Sequence, residues 1–305
     1  MVRLSVVIPA LGRADVFGRV LDGLARQSAT PGSFEVVVGV DAAEADPEAI
    51  RRATADRPFA VRVVQAAEPG VSAARNAAWR LAEHDVILFL GADMLPSPEL
   101  VARHADGHRR DPEPDAGLLG HVRWARELRQ TAFMRWLDDG VQFDFGSIRG
   151  DEAAWWHFYA CNVSLKRSRL EAVGGFDEAF RFGYEELDLA LRLHHAGFRL
   201  RYDREAEVEH LHQPTIAAWQ ERMRVVAAAE RQFVAKHPEA DAYFHDRFER
   251  AAAAPPARDR GVRLAEHVPR GLPVIGSRVH FSADRWFAQQ LAPAFLRAWR
   301  EVEPQ

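Results

Sequence analysis

Asp85-Val86-Ile87-Leu88-Phe89-Leu90-Gly91-Ala92-Asp93-Met94-Leu95-Pro96 decides the fold class. Val86 to Leu90 is an unbroken apolar run of strand length, the pattern of a strand covered on both faces inside a mostly parallel sheet. Gly91 and Pro96 stop the run, and a carboxylate stands where the strand ends. Ligands of open α/β sheets bind beyond the carboxyl ends of strands, which makes Asp93 a candidate site residue. Taken alone, Asp93 is slightly better explained as a loop carboxylate or as the cap of a helix starting near Ser97. The rest of the chain changes that balance.

Upstream, the same punctuation repeats. Leu4 to Ile8 is a short apolar strand stopped by Pro9, and Val16, Val20, Leu21 and Leu24 recur at helical spacing over 15–27. Phe34 to Val40 is a second strand ending at Asp41, and Asp46-Pro47-Glu48 opens a helix, since proline suits a first turn. Val61 to Val64 is a third strand; Glu68-Pro69-Gly70 turns into a helix over 72–82. This alternation predicts right-handed βαβ units and an α/β fold.

Downstream, Glu99 to Arg110 reads as a helix whose His104 and His108 lie one turn apart. Without a third ligand nearby they read as an ordinary helix face. Leu118 to Val122 is a strand, and Val163 and Leu165 suit a strand edge. Between them the aromatics from Phe133 to Tyr159 suggest a loop-rich region packed over the sheet, with Trp155 to Tyr159 equally suited to core packing and to a wall for a substrate ring. A helix runs from Glu185 to about Ala196, followed by strands at Phe198 to Tyr202 and Glu207 to His212. Helices over 215–236 and 239–253, a Pro255-Pro256 linker and a tail helix over 283–300 complete the chain. The expected division is an α/β domain over 1–215 and a helical extension over 216–305.

Composition narrows the function. The chain has 305 residues, 48% hydrophobic and 28% charged, as in ordinary globular proteins. A net charge of -4 argues against a nucleic-acid partner. The single cysteine, Cys161, rules out a disulfide framework and a cysteine-rich metal site. The N-terminal apolar run is too short for a signal peptide, and no apolar stretch approaches the ~20 residues of a spanning helix. A cytoplasmic protein is expected.

Acidic or imidazole groups follow separate strands and turns: Asp93, Glu185-Glu186-Asp188, and His210 with His212. Mg²⁺ and Mn²⁺ take carboxylate oxygens, and Mn²⁺ also accepts imidazole. A metal with few protein ligands keeps positions for substrate phosphates, and a nearby carboxylate can act as general base. Together these describe group transfer from a nucleotide-activated donor.

The order of several motifs resembles the family 2 glycosyltransferases with the GT-A fold, over roughly residues 4–215. Ser5-Val6-Val7-Ile8-Pro9 matches their opening strand, and Glu35-Val36-Val37-Val38-Gly39-Val40-Asp41 their second. Gly70-Val71-Ser72-Ala73-Ala74-Arg75-Asn76 matches a helix start, and Phe89-Leu90-Gly91-Ala92-Asp93 occupies the Asp-x-Asp position. Gly174-Gly175-Phe176-Asp177-Glu178 and then Glu185-Glu186-Leu187-Asp188-Leu189 match the late acidic motif.

The resemblance implies roles. Pro9 and Ala10 border the nucleotide base, Asp41 hydrogen-bonds it, and Arg75 and Ala92 belong to the nucleotide end. Asp93 and His210 hold a divalent metal, Mn²⁺ or Mg²⁺, with His212 a close rival to His210. Glu186 is the catalytic base, with Glu185 beside it near the acceptor. Trp155, Trp156, Asn162 and His212 are the acceptor or sugar candidates. The implied donor is a nucleoside-diphosphate sugar, UDP above all, and the acceptor a glycan, a lipid-linked or a small molecule, with inversion at the anomeric carbon. Gly91 stands where the family carries its first acid, Ala42 follows Asp41, and Glu186 stands where aspartate is commoner.

Two other readings fit less well. A nucleotidyltransferase wants a glycine-rich basic loop near the first strand, and Leu11-Gly12-Arg13 is a poor one. A non-catalytic sugar-nucleotide or scaffold module draws its support from Gly91. The tail aromatics Trp286, Phe287, Leu291, Phe295 and Trp299 share one helix side, which either covers the core, pairs with a second copy in a homodimer, or rests on a membrane surface. Packing is the default expectation. Asp188 is expected to pair with Arg192 one turn on.

Overall fold

The apolar runs of the first ninety residues become strands β1 (Leu4–Ala10), β2 (Phe34–Val40), β3 (Ala60–Gln65) and β4 (Val86–Leu90) in the computed structural model, which describes residues 2–268, 272 and 275–301. They run parallel in the order β3-β2-β1-β4, linked by helices α1 (Ala14–Ala25), α2 (Pro47–Ala53) and α3 (Val71–Leu81). Every residue of β2 and β4 is buried, as unbroken apolar runs require.

The chain continues through β5 (Met94–Pro96), α4 (Leu100–Arg110), β6 (Ala116–Trp124), α5 (Ala132–Leu137), β7 (Glu152–Ala153), β8 (Asn162–Lys166), α6 (Arg167–Val173), α7 (Glu185–His195) and β9 (Arg199–His210). The sheet extends as β4-β8-β6-β9-β5, with β7 also on β9. It is here mixed: β8 is antiparallel to both β4 and β6, and β6 is parallel to β9. An α/β fold with helices about a central sheet is the result.

Three sequence expectations change. β8 is an interior strand rather than an edge, because β4 and β6 flank it and bury Asn162 through Leu165. β9 is one strand where two were expected. It absorbs its charged middle as a bulge, pairing Gly120 with Asp203 and His121 with Glu207. Gly91 ends β4 as expected, but Pro96 itself lies in a strand: β5 pairs antiparallel with the end of β9, Met94 opposite His210. Proline is tolerated there because β5 lies at the sheet edge.

The structure divides into two compact units, one of Met1–Leu128, Ser147–Arg181 and Glu185–His212, the other of Arg129–Gly146, Phe182–Tyr184 and Gln213–Gln305. The second is helical: α5 with α8 (Ile216–Lys236), α9 (Tyr243–Ala253), α10 (Arg260–Ala265) and α11 (Ile275–Glu301). Phe133 and Trp136, expected over the sheet, form the core of this unit against Phe287, at ring distances of 5.2 and 5.5 Å. The tail aromatics do the same: Phe287, Leu291 and Phe295 are buried, and Phe295 meets Phe248 at 5.1 Å. That helix side is therefore packing surface, the default expectation. Glu230, fully buried in α8, accepts the backbone N–H groups of Phe244 and His245 at 2.6 and 2.8 Å and so fixes the start of α9. Burial raises its carboxyl above the ordinary range, against the hydrogen bonds from Tyr184, Phe244 and His245.

Candidate functional site

The site is built at the carboxyl ends of the parallel strands, all within the first unit. β1 delivers Pro9 and Ala10, and Asp41 follows β2, its N–H donating to the Ala10 carbonyl at 3.0 Å. The Asp41 carboxylate is buried and spans two backbone donors, Ala43 N–H at 2.8 Å and Gly70 N–H at 2.9 Å. Gly70 is at φ 129°, a conformation that favours glycine, and it opens α3. Negative charge at a helix start is stabilised, so Asp41 is both a strand-end acid and the clamp of the α3 entry.

Asp93 owes its position to β5. The Met94–His210 register sets its carbonyl to accept Leu211 N–H at 2.8 Å, and its Oδ2 lies 3.3 Å from His210 Nε2. His210 is buried in a stack between Trp124 (5.1 Å, 15°) and His212 (5.5 Å, 18°). Arg13 reaches the same Oδ2 at 3.5 Å while donating to the Leu211 carbonyl at 2.8 Å. Burial alone would raise the Asp93 carboxyl. The hydrogen bond from His210 and the charges of His210, Arg13 and His212 outweigh it and hold the group below its ordinary value.

Two cis ligands on an octahedral ion at about 2.1 Å lie roughly 3 Å apart. Asp93 Oδ2 and His210 Nε2, 3.3 Å apart, fit that spacing, with a carboxylate and an imidazole suiting Mn²⁺. Among the described residues no group of three metal-ligating side chains forms, so the remaining positions would fall to diphosphate oxygens and water. Gly91 does not offer a second acid's place. A Cβ there would stand 2.8 Å from Met94 Cγ and 3.4 Å from Cys161 Cβ. Gly91→Asp, which restores the Asp-x-Asp pattern, is therefore expected to cost about 1–3 kcal/mol by overpacking and to gain no metal affinity. Chemical denaturation and Mn²⁺ titration check both halves.

The late acidic motif is organised by the Arg75-Asn76 pair. Asn76 donates to the Phe176 carbonyl at 2.8 Å and accepts Phe176 N–H at 3.0 Å, pinning the loop before α7. Arg75, 6% exposed, bonds Glu185 Oε1 at 2.9 Å and the Ala160 carbonyl at 3.3 Å, and packs over Phe176. The guanidinium is thus committed to Glu185, whereas the resemblance had implied the nucleotide end. Glu185 is buried, with Oε2 lacking a hydrogen-bond partner among the described residues. Glu186, half-buried, accepts Ala160 N–H at 2.8 Å. Asp188 binds Arg192 at 2.7 and 2.9 Å, the partner its spacing predicts.

Ala160-Cys161 links the two halves. Its first residue contacts Arg75 and Glu186, and the Cys161 carbonyl accepts Gly91 N–H at 3.1 Å, beside Ala92 and Asp93. Burial and the charges of Glu186 and Asp93 keep the Cys161 thiol well above its ordinary range, against Arg75. Cys161 and Arg13 adjoin this candidate site, and sequence reasoning missed both. One sat inside an apolar bend and the other in a loop dismissed as too poor to bind phosphate.

Other candidates lie elsewhere. Asn162 is fully buried, its amide donating to the Ala206 and His121 carbonyls at 2.8 and 3.1 Å and accepting from His104 at 3.0 Å, so it does not face a ligand. Trp155 stacks on His194 at 6.4 Å. His194 lies nine residues along α7 from Glu185, roughly 13 Å at about 1.5 Å per residue. Trp155 and Trp156 thus line a separate cavity of about 340 Å³ with Phe158 and Phe198.

This constellation can be set beside known proteins. The profile of glycosyl transferase family 2 matches residues 5–150, and that of the N-terminal domain of galactosyltransferase matches residues 150–213. The chain belongs to glycosyltransferase family 2. It is 30% identical over 269 residues to validoxylamine A glucosyltransferase of Streptomyces hygroscopicus subsp. limoneus, a match covering 77% of this chain and 57% of that relative. The chain spans about three fifths of the length of such curated relatives, 57% and 61% for two of them. Its GT-A fold is shared with a Pyrobaculum calidifontis mannosyltransferase solved with GDP-Man and Mn²⁺, at TM-score 0.63 and 20% identity over 98% of this chain and 88% of that one. TarS of S. aureus, solved with UDP, superposes at TM-score 0.56 and 13% identity, over 99% and 93%.

Proposed function

We infer that this family 2 glycosyltransferase moves a sugar from a nucleoside-diphosphate donor, UDP-linked in the first instance, to an acceptor hydroxyl with inversion. The observation that carries the reading is the convergence of Asp93 and His210 on one side of the Ala160-Cys161 bend and Glu186 on the other. Pro9, Ala10 and Asp41 border the base, and the diphosphate extends toward Asp93. Glu186 takes the proton of the acceptor hydroxyl as its oxygen attacks the anomeric carbon, and the bond to the diphosphate breaks on the opposite face. A divalent ion held by Asp93 and His210 would supply charge neutralisation to the departing diphosphate. Arg75 holds Glu185 in place through their buried pair. The ligands bound in the fold relatives, GDP-Man with Mn²⁺ and UDP, support a nucleotide donor and leave UDP and GDP as the pair to discriminate.

The test is donor hydrolysis and transfer across UDP- and GDP-sugars, with calorimetry of UDP and GDP in the presence and absence of Mn²⁺. Asp93→Asn is expected to fold, to lose Mn²⁺-dependent nucleotide binding, and to drop kcat/KM about 10²–10³-fold, the scale of a lost electrostatic stabiliser. Full transfer by that variant with unchanged Mn²⁺ dependence would refute the role given to Asp93. Nucleotide binding without turnover on any donor would favour the non-catalytic module.

A further inference from the structure

The helical unit carries a charged cluster that sugar transfer does not use. A cavity of about 430 Å³ beside α10 and α11 is lined by Arg258, Arg260, Arg278 and Arg285 together with Ser282 and Leu264. None of the four arginines has a carboxylate partner among the described residues. The nearby Asp259 is already paired with Arg263 at 2.8 Å. Arg285 Nε is buried with no hydrogen-bond acceptor among the described residues, so the cluster holds a donor left unsatisfied there. Like charges gathered in this way repel unless an anion comes between them.

The same face is apolar where it meets solvent. Arg278, Phe281, Ser282 and Arg285 recur at i, i+3, i+4 and i+7, so they share one side of α11. Phe281 is 69% exposed, the most exposed of the large hydrophobic residues among those described, and Leu264 is 47% exposed. A pocket for a free anion has no use for an outward phenylalanine and leucine. A bilayer uses both kinds of group: lipid phosphates for the arginines and the acyl boundary for the rings and aliphatic chains. No described helix is long and apolar enough to cross a membrane, so any such contact would be made at the surface.

We propose that the Arg258–Arg260–Arg278–Arg285 face, with Phe281 and Leu264, docks this protein on an anionic phospholipid surface. The docking face is distinct from the aromatic side of α11, which is buried in the helical core. It also stands independently of which sugar is transferred.

Flotation of the 305-residue chain with vesicles tests it. Vesicles of phosphatidylcholine mixed with phosphatidylglycerol are expected to carry the protein, vesicles of phosphatidylcholine alone are not, and added salt weakens the binding. An arginine near an anionic bilayer contributes about 1 kcal/mol, or roughly fivefold in partitioning. The triple variant Arg258→Ser/Arg260→Ser/Arg278→Ser is thus expected to bind about a hundredfold more weakly. Phe281→Ser is expected to lose binding while keeping the charge. Circular dichroism and donor hydrolysis, both expected unchanged, certify the fold of each variant. Equal flotation with neutral vesicles, or wild-type flotation by the triple variant, would overturn the proposal. Binding of inorganic phosphate by calorimetry with no flotation would also overturn it, marking a soluble-anion site.

Discussion

Glu186→Gln is expected to lower kcat about 10²–10⁴-fold, the usual worth of a positioned general base, while leaving the melting temperature near that of the wild type. The substitution keeps the shape of the side chain and its ability to accept Ala160 N–H, the 2.8 Å bond that fixes its rotamer. What it removes is a carboxylate able to take a proton. KM for the donor is expected to change little, because Glu186 is assigned to the acceptor side.

Glu185→Gln supplies the contrast. Glu185 and Arg75 are both 7% exposed at the side chain and 2.9 Å apart. Neutralising one member leaves a buried guanidinium uncompensated, which costs roughly 3–5 kcal/mol. At about 2–4 °C per kcal/mol for a unit of this size, the melting temperature should fall by about 6 °C or more. The two acids are adjacent in sequence, yet one should fail in chemistry and the other in stability. The orphaned Glu185 Oε2 makes the comparison sharp. If Glu186→Gln retains near-wild-type kcat and Glu185→Gln abolishes turnover without losing stability, the base is Glu185.

The outcome bears on what a sequence can carry. The parallel half of the sheet was legible because β2 and β4 are covered on both faces and their apolar runs have no other home. Asp41, Asp93 and the Glu185-Glu186 pair were legible because each follows a strand or opens a helix at a recognisable motif. The partnership of Asp93 with His210 was not, because it depends on a three-residue strand whose pairing partner lies more than a hundred residues away. The partner of Arg75 was not legible for a related reason. Its motif identifies the helix start, but only tertiary packing decides that the guanidinium turns toward Glu185. Asn162 sits next to the site in sequence and faces away from it, since alternation along β8 sends its amide to Ala206, His121 and His104. The aromatic segment from Phe133 to Trp156 was ambiguous because its residues divide between two units and one surface cavity, and periodicity carries no address.

His104 and His108, left by their spacing as an unremarkable helix face, are expected to set the acid limit of the fold. Both are buried, and the network around them admits one arrangement of protons. Asn162 gives its amide hydrogens to two carbonyls, so its oxygen must accept from His104 Nε2 at 3.0 Å. His104 Nδ1 is then an acceptor for the Ser164 hydroxyl at 2.8 Å, and Ser164 Oγ accepts in turn from His108 Nε2 at 2.8 Å. A proton added to His104 destroys an acceptor that Ser164 requires. Burial, opposed by the Asn162 hydrogen bond and the charge of Asp203, takes the His104 pKa down to about 4. Burial, Lys166 and His104 take that of His108 down to about 3. Both lie below the unfolded value near 6.5, so the unfolded chain binds two protons that the native chain excludes. Stability from this source is therefore complete above about pH 7 and is lost as pH falls from about 6.5 toward 4. With two protons the slope reaches roughly 2.7 kcal/mol per pH unit, enough to consume a typical folding free energy before pH 4. His121, lowered to about 4 by burial and Arg204, pulls in the same direction. Urea denaturation at a series of pH values is expected to give at least the two-proton slope for the wild type and to lose about 1.4 kcal/mol per pH unit of it in His108→Gln, whose amide still donates to Ser164. An unchanged slope in that variant would show that other groups govern acid unfolding.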